Sequence, residues 1–147
     1  MPEGLDALYL GELAQGAPGW LVHIARDEGR MAGLAEEIAL FAPGTHILKL
    51  PAWDSLPYDR VSPNPEICAT RMNTLARLVG QAPPKAPAIL LTTVNASLQR
   101  LPPRRSIEGA VFQAGAGAVV VVAELLAVLV RNGYSPGRAG MEPGWVA

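Results

Sequence analysis

Three short apolar segments alternate along the chain with two segments whose apolar residues recur at helical spacing. The apolar segments predict β-strands at residues 20–25, 46–50 and 88–94. Strands that are apolar at nearly every position are typical of parallel sheets, which helices cover on both faces. Right-handed crossovers then fix the order of the layers. We therefore expect an α/β fold, a small parallel-sheet domain with flanking helices.

The two intervening segments predict amphipathic helices with identifiable ends. Asp27 is placed to cap the first helix, whose apolar stripe is formed by Met31, Leu34, Ile38 and Phe41. Asn64 and Pro65 predict the start of the second, because a proline in the first turn loses no hydrogen bond. The apolar face predicted for this second helix carries Cys68, Met72, Leu75 and Val79. Arg71 and Arg77 then fall on its polar side, where we expect solvated side chains.

A change of pattern near residue 106 predicts a second domain. Residues 110–113 and 118–122 are expected to form two strands, and residues 124–131 a helix that ends at Asn132 and Gly133. We therefore divide the chain into a first domain, residues 1–105, and the incomplete start of an α+β interaction domain, residues 106–147. Residues 119–122 are four consecutive valines, Val119 to Val122. An uncovered strand of this kind favours self-association.

Composition and charge exclude several classes of protein. A length of 147 residues suits one domain and part of another. The formal net charge of −1 argues against a large electrostatic surface for nucleic acid. The single cysteine, Cys68, excludes a disulfide framework and a zinc cluster, and a reducing cytoplasm is the expected setting. The apolar stretch 118–130 is interrupted by Glu124 and is too short to span a bilayer, so no membrane partner is expected.

A proline-rich loop separates the second predicted strand from the helix that follows it. Residues 50–65 contain four prolines, two aromatic residues and three charged residues. Prolines restrict their own backbone and that of the preceding residue, so the loop is expected to be extended. Its candidate partner-binding residues are Trp53, Tyr58, Asp59 and Arg60. The residues alone favour an alternative, in which the aromatic side chains only anchor the loop to the sheet.

Two strings in the chain resemble those of a known family. Residues 53–59 read Trp-Asp-Ser-Leu-Pro-Tyr-Asp, and residues 93–103 read Thr-Val-Asn-Ala-Ser-Leu-Gln-Arg-Leu-Pro-Pro. In their order and separation they resemble the N-terminal module of the bacterial transcription-repair coupling factors (Mfd). That module is similar to domain 1 of the excision-repair protein UvrB. The resemblance runs from about residue 4 to about residue 144 and weakens along the way.

The resemblance implies a scaffold and adaptor and not a catalyst. A parent factor of this family is an ATP-driven DNA translocase that displaces stalled RNA polymerase and recruits UvrA in nucleotide excision repair. The family's UvrA contacts are implied to lie mostly beyond residue 147, and RNA polymerase and DNA to be bound by other domains. The chain is expected to have no enzymatic activity, no catalytic residue and no cofactor. Two alternatives remain open at this point: a free-standing flavodoxin-like nucleotide-binding module or enzyme, and an inactive truncated gene product.

The remaining candidate sites are weak. Residues 2–8 and 26–30 lie where a phosphate-binding loop would be needed, yet both lack lysine, serine and threonine and carry two acidic residues. His23 and His46 have no partner at metal-ligand spacing, so no metal site is predicted. Arg104 and Arg105 belong to the one cationic cluster, which suits a weak partner contact or an ordinary solvated loop.

Overall fold

The structure is a computed structural model, and it describes residues 4–55, 62–80, 84–108, 110–112, 114–115, 117–136 and 145–146. The chain forms two compact units, Met1–Leu101 and Pro102–Ala147. The assignment of residues 1–105 and 106–147 to two modules of the coupling-factor family stays a prediction.

A parallel sheet forms the centre of the first unit. Its strands are β1 (Trp20–Ala25), β2 (His46–Leu50) and β3 (Ala88–Thr93), arranged in the order β1-β3-β2. Leu21 of β1 and Ile47 of β2 lie beside Ile89 of β3. The central strand is buried at every position. The predicted α/β fold with a parallel sheet is therefore confirmed.

The described residues of this unit form four helices: α1 (Leu5–Gly16), α2 (Glu28–Phe41), α3 (Pro65–Gly80) and α4 (Val94–Leu98). The predicted caps are present, since Oδ1 of Asp27 accepts from the backbone N–H of Arg30 at 2.7 Å. Oδ1 of Asn64 likewise accepts from the N–H of Glu66 at 2.8 Å. A Cβ atom on Gly11 of α1 would lie 2.7 Å from Cβ of Ala42. Glycine is therefore required where α1 approaches the end of α2.

One face of the sheet is covered by α1 and α2, and the apolar core lies between these layers. Its largest fully buried apolar side chains are Leu34, Ile38, Ile89 and Leu91. Phe41, predicted to extend the apolar stripe of α2, is instead about half exposed at the end of the helix.

On the opposite face, α3 packs against β2 with an unexpected set of side chains. The residues it buries are Arg71, Thr74 and Leu75, whereas Met72 is exposed. The predicted apolar face was therefore wrong except at Leu75 and the partly buried Cys68 and Val79. The physical reason is that this face of α3 meets backbone carbonyl groups at the end of β2, which need hydrogen-bond donors.

The first strand is less buried than its sequence predicts. Val22 and Ile24 are 55% and 52% exposed, although five of the six residues of β1 are apolar. β1 is an edge strand of the described sheet, and α3 packs against β2 at the other edge. The face of β1 that carries these two side chains is therefore left open.

In the second unit, the part that the structure describes forms two helices and a short strand pair. These are α5 (Arg104–Glu108), α6 (Val122–Arg131), β4 (Ser135–Pro136) and β5 (Trp145–Val146). The strands predicted at 110–113 and 118–122 were wrong over the described residues, because 110–112 and 118–121 are not strand and Val122 begins α6. A β-branched run forms a strand only beside another strand, and no described residue supplies one here.

The end of α6 agrees with its prediction. Gly133 has a φ of 89°, and the N–H of Tyr134 donates to the carbonyl of Leu129 at 3.1 Å. This is the arrangement expected of a glycine that ends a helix. Across the described part of the chain, no helix has both the length and the apolar character that a membrane span requires.

Candidate functional site

A buried arginine lies where α3 meets the start of the proline-rich loop. The Arg71 side chain is only 1% exposed, which is rare for a charged residue. Its Nη1 donates to the carbonyl oxygen of Pro51 and lies 3.4 Å from Oε1 of Gln99. Its Nε has no hydrogen-bond partner among the described residues. Neutral oxygen atoms therefore hold this cation at the point where the chain leaves β2.

An aromatic ring completes the surroundings of the guanidinium. Cζ of Arg71 lies 4.5 Å from the centroid of the Trp53 ring. The backbone N–H of Trp53 donates to Oε1 of Gln99 at 2.9 Å, so one amide oxygen lies between both residues. A cation–π contact contributes about 0.5 kcal/mol when exposed and about 2 kcal/mol when desolvated. The ring and the cation therefore stabilise each other's position.

A carboxylate ties the loop to the ends of two helices. Oε1 of Glu28, in the first turn of α2, accepts from the N–H of Ala52 at 2.8 Å and from Oγ1 of Thr93 at 3.2 Å. The same threonine oxygen accepts from the N–H of Ala96 at 3.2 Å and caps α4. A carboxylate is favoured at a helix N-terminus because of the helix dipole. Glu28 therefore connects α2, the loop and α4.

Two threonines fix the last residues of β2. Oγ1 of Thr74 donates to the carbonyl of Lys49 at 2.6 Å, and Oγ1 of Thr92 donates to the carbonyl of Leu50 at 2.9 Å. These carbonyls belong to the final two residues of the strand. The direction in which the loop leaves the sheet is thus set by side chains from α3 and β3. In open α/β sheets, the carboxyl ends of the strands are where ligands bind.

The electrostatics of this cluster favour a structural role over chemistry. Burial lowers the pKa of the Arg71 guanidinium from its usual value, and the charge of Glu28 offsets part of that change. Arginine is nevertheless charged at neutral pH, because its ordinary pKa lies so far above 7. Each polar contact in the cluster is directed to backbone or to a neighbour in the cluster. The Thr93 hydroxyl that is bound to the Glu28 carboxylate also caps α4, and the carboxylate also holds the N–H of Ala52, so the arrangement positions a loop.

The two family strings meet at this cluster. Trp53 comes from the first string, and Thr93 and Gln99 come from the second. Sequence reasoning assigned no role to Gln99 or Thr93 and placed Arg71 in solvent, which was wrong. A signal was present, because Arg71 lies four residues before the buried Leu75 and so shares its helical face.

The predicted partner-binding residues of the loop are only partly described. Trp53 is half-buried in the cluster, while Tyr58, Asp59 and Arg60 lie outside the described residues. Asp54 accepts from the N–H of Asn64 with both carboxylate oxygens at 3.2 Å. This contact joins the two ends of the loop.

The cationic candidates of the second unit lie on α5. Arg104 and Arg105 are both exposed. Nε of Arg104 lies 2.8 Å from Oε1 of Glu108, one helical turn away. Exposed pairs of this type contribute little to stability. A weak partner contact through these arginines stays a prediction.

The histidines and the cysteine are placed among structural contacts. Nε2 of His46 lies 3.3 Å from Nη1 of Arg77, and its ring centroid lies 5.8 Å from that of Trp20. Arg77 is thus half-buried against a ring, which corrects its prediction as a solvated side chain. Cys68 is partly buried. Within the described ranges, no group of three or more His, Cys, Asp or Glu residues could hold a metal ion.

A polar pocket lies at the carboxyl end of β1, beside the first turns of α1 and α2. Its volume is about 330 Å³, and it is lined by Asp6, His23, Ile24, Ala25, Arg26, Arg30 and Leu34. Nη2 of Arg30 lies 2.6 and 2.5 Å from the two carboxylate oxygens of Asp6, and its Nη1 lies 3.2 Å from Oε1 of Glu37. The carboxylates of Asp6 on α1 and Glu37 on α2 therefore both pair with the Arg30 guanidinium.

The charged groups that line this pocket shift one another's pKa values. The hydrogen bond from Arg30 lowers the pKa of the Asp6 carboxyl, and the same contact raises the pKa of Arg30. Burial lowers the pKa of His23. Oδ1 of Asp6 also accepts from the N–H of Ala7 at 3.1 Å. An acidic side chain thus occupies the first turn of α1, where a bound phosphate would need free N–H groups.

The chain is similar in sequence to transcription-repair-coupling factors of several bacteria. It is 32% identical to that of Escherichia coli K12 over 103 residues, which are 70% of this chain and 8% of the relative. The protein of Rickettsia prowazekii is 26% identical over 125 residues, 85% of this chain and 11% of the relative. That of Haemophilus influenzae is 26% identical over 141 residues, 96% of this chain and 12% of the relative. No protein-family model matches the chain.

These similarities confirm the resemblance inferred from the two strings. The chain spans only about a tenth of the length of the relatives it matches.

Proposed function

We propose that this chain, which belongs to the family of the transcription-repair-coupling factors, is the UvrB-like, N-terminal scaffold and adaptor part of such a factor. Its parent protein would displace RNA polymerase stalled at a lesion and recruit UvrA for nucleotide excision repair. The similarity over 70–96% of the chain in three relatives supports the relationship. The remaining length of those relatives leaves room for the motor.

One observation carries the adaptor proposal, namely that both family strings converge on Arg71. Trp53 contacts its guanidinium from one side, and Gln99 lies against it from the second string. The hydrogen bonds of Arg71 and Gln99 there hold the backbone of Pro51 and Trp53, in the loop that leaves β2. A loop that is positioned by a rigid scaffold is a common form of binding surface.

We further propose that the chain binds no ATP. Asp6 occupies the first turn of α1 and pairs with Arg30, so the nearest cation is already neutralised. Phosphate binding at a helix N-terminus needs both free N–H groups and a positive potential. This arrangement supports a non-enzymatic role for the chain within an ATP-driven parent.

The partners of the parent would be divided among its parts. We propose that most UvrA contacts lie beyond residue 147 and that RNA polymerase and DNA are bound by other domains. The formal net charge of −1 supports the absence of a DNA surface in this segment.

A chimera tests the proposal in a working factor. The segment of the Escherichia coli relative that matches this chain is replaced by the chain, and two activities are measured: displacement of stalled RNA polymerase and repair of the transcribed strand. We expect the chimera to perform both. An Arg71→Ala chimera should displace polymerase but lose much of the strand-specific repair, because its loop is no longer held.

An Arg26→Ala chimera is the matched control, since the Arg26 side chain is 82% exposed and lies outside the cluster. It should repair as the unaltered chimera does. The proposal is wrong if the unaltered chimera displaces polymerase but does not support repair. Equal repair by the Arg71→Ala chimera and its control would show that the cluster has no part in the adaptor role.

A further inference from the structure

The polar pocket at the carboxyl end of β1 places a histidine and a carboxylate in one cavity. His23 lies on the same face of β1 as Leu21, which packs against the core under α1 and α2. Asp6, in the first turn of α1, lines the same cavity of about 330 Å³. The charge of Asp6 acts to raise the pKa of His23, although burial outweighs it. The carboxylate is therefore within electrostatic reach of the ring.

In the structure, Asp6 is held by Arg30, which also has a second carboxylate partner. Nη2 of Arg30 lies 2.6 and 2.5 Å from the two oxygens of Asp6. The same guanidinium lies 3.2 Å from each oxygen of Glu37, through Nη1 to Oε1 and through Nη2 to Oε2. This second pair is internal to α2, since Glu37 follows Arg30 by two helical turns. Arg30 therefore keeps a partner even when Asp6 leaves it.

We propose that protonation of His23 transfers the Asp6 carboxylate from Arg30 to the histidine ring, as a proton-driven exchange of partners. With a neutral ring, the cluster holds one cation, Arg30, and two carboxylates. The protonated ring is a second cation, and a partly buried charge is costly unless it is paired. After the exchange each cation has one carboxylate, Glu37 on Arg30 and Asp6 on His23. The cavity between them provides the space in which the Asp6 side chain turns.

The exchange joins the first turn of α1 to β1 more closely, because Asp6 belongs to that turn. Histidine is the side chain whose charge ordinarily changes near neutral pH, so it is suited to such a device. The fold thereby contains a contact between a helix and an edge strand of the described sheet that responds to acid. This inference does not rest on the proposed function.

The other charged groups around the ring are already paired or lie in solvent. Arg26 lines the pocket but pairs with Asp27 and is 82% exposed. On the sheet, β3 places Leu91 beside His23, and the exposed Lys49 of β2 follows in the same register. Neither β3 nor α4 carries a titratable side chain. The remaining titratable side chains of α1 and α2 are all exposed: Tyr9, Glu12, Glu28 and Glu36.

The exchange has a defined pH window. Burial lowers the pKa of His23 below the ordinary 6.5, and the hydrogen bond from Arg30 lowers the pKa of Asp6 below the ordinary 3.8. Ring and carboxylate are both charged only between these two lowered values. Above the window the ring is neutral and Asp6 stays on Arg30. Below it the Asp6 carboxyl is protonated, and neither pairing holds.

Two measurements on the whole chain test the exchange. Crystal structures at about pH 8 and about pH 4.5 lie on either side of the ordinary histidine pKa. The Asp6 carboxylate should be hydrogen-bonded to Arg30 in the first and to the His23 ring in the second. In solution, the ¹³C shift of the Asp6 carboxylate should show a step at the same pH as the titration of the His23 ring. Unchanged contacts in the two crystals, or no such step, overturns the proposal.

Variants of the histidine separate the effect of its charge from other effects of acid. His23→Arg carries a positive charge at every pH and should draw Asp6 from Arg30 at about pH 8. His23→Gln is never charged and should keep Asp6 on Arg30 in both crystals and lose the step. Asp6 on Arg30 in the first variant, or a step that persists in the second, overturns the proposal.

Variants of α2 test the second partner of Arg30. Glu37→Gln leaves Arg30 with Asp6 as its only carboxylate, so Asp6 should stay on Arg30 and most of the step should be lost. Glu36→Gln is the matched control, because it removes the same charge from the exposed neighbouring position. The control should show the step of the wild type. Equal steps in the two variants would contradict the exchange.

Discussion

The guanidinium carbon of Arg71 lies 4.5 Å from the centre of the Trp53 ring and joins α3 to the loop that leaves β2. The same side chain donates to the carbonyl of Pro51, so ring and backbone of the loop are held together. A buried polar group is costly when its partner is removed, because the group left behind is not solvated. The loop should therefore respond sharply to changes at either residue.

Arg71→Ala should lower the free energy of unfolding by about 2–4 kcal/mol, because it leaves a cavity and a carbonyl oxygen of Pro51 without its donor. Urea denaturation measures this loss. Arg26→Ala serves as the control and should change stability by no more than about 0.5 kcal/mol, since the Arg26 side chain is 82% exposed. Similar losses in the two variants would contradict the buried network.

Trp53→Ala should destabilise the protein by about 2–3 kcal/mol, less than a fully buried aromatic residue would, because Trp53 is only half-buried. Trp53→Phe keeps an aromatic face and should lose less. A double-mutant cycle between Trp53 and Arg71 should give a coupling free energy of about 0.5–2 kcal/mol. A coupling near zero would show that the ring and the cation act independently.

The parallel sheet was predictable because its signals are local. Each strand is a short apolar segment, and Asp27 marks the start of α2 by its side-chain chemistry alone. The burial of Arg71 could not be predicted in the same way. Hydrophobic periodicity counts arginine as polar, and only the tertiary structure brings the carbonyl of Pro51 to its guanidinium.

The second unit shows a different limit of sequence reasoning. Four consecutive valines have high strand propensity, yet residues 118–121 are not strand and Val122 begins α6. Strand propensity depends on packing against a neighbouring strand. Helix α6 needs no such neighbour, because its backbone hydrogen bonds are internal to it.

The stability of the first unit should depend on pH through His23. Burial lowers its pKa below the ordinary 6.5, while the charge of Asp6 partly opposes this. The unfolded chain then binds the proton more tightly, so the stability linked to His23 is complete above about pH 6.5 and is lost as the pH falls through the folded-state pKa. His23→Gln should show a smaller decrease in the free energy of unfolding over that range.

NMR titration of the His23 ring checks the sign directly. Its pKa should lie below 6.5 in the wild type. Asp6→Asn should lower it further, because the favourable carboxylate charge is removed and Arg30 remains nearby. A pKa at or above 6.5 in the wild type would contradict the burial argument.

The chain should not bind ATP, because Asp6 occupies the first turn of α1 and no lysine-bearing phosphate loop is present in the sequence. Titration with a fluorescent ATP analogue should give no saturable signal. Competition by unlabelled ATP controls for binding of the fluorophore alone. Saturable, competable binding at micromolar concentration would instead favour the free-standing nucleotide-binding module.

The valine run of the second unit should drive self-association of the chain. Val119 is 95% exposed, and residues 118–123 contain no charge. Exposed, uncharged β-branched segments are templates for pairing with other chains. Light scattering should show large species in the wild type that disappear in the Val119→Lys, Val121→Lys variant and in a version ending near Ile107.

A UvrA pull-down with the full 147-residue chain should recover little UvrA, because most contacts are proposed to lie beyond its last residue. A wild-type chain free of large species that captures UvrA strongly would contradict both expectations.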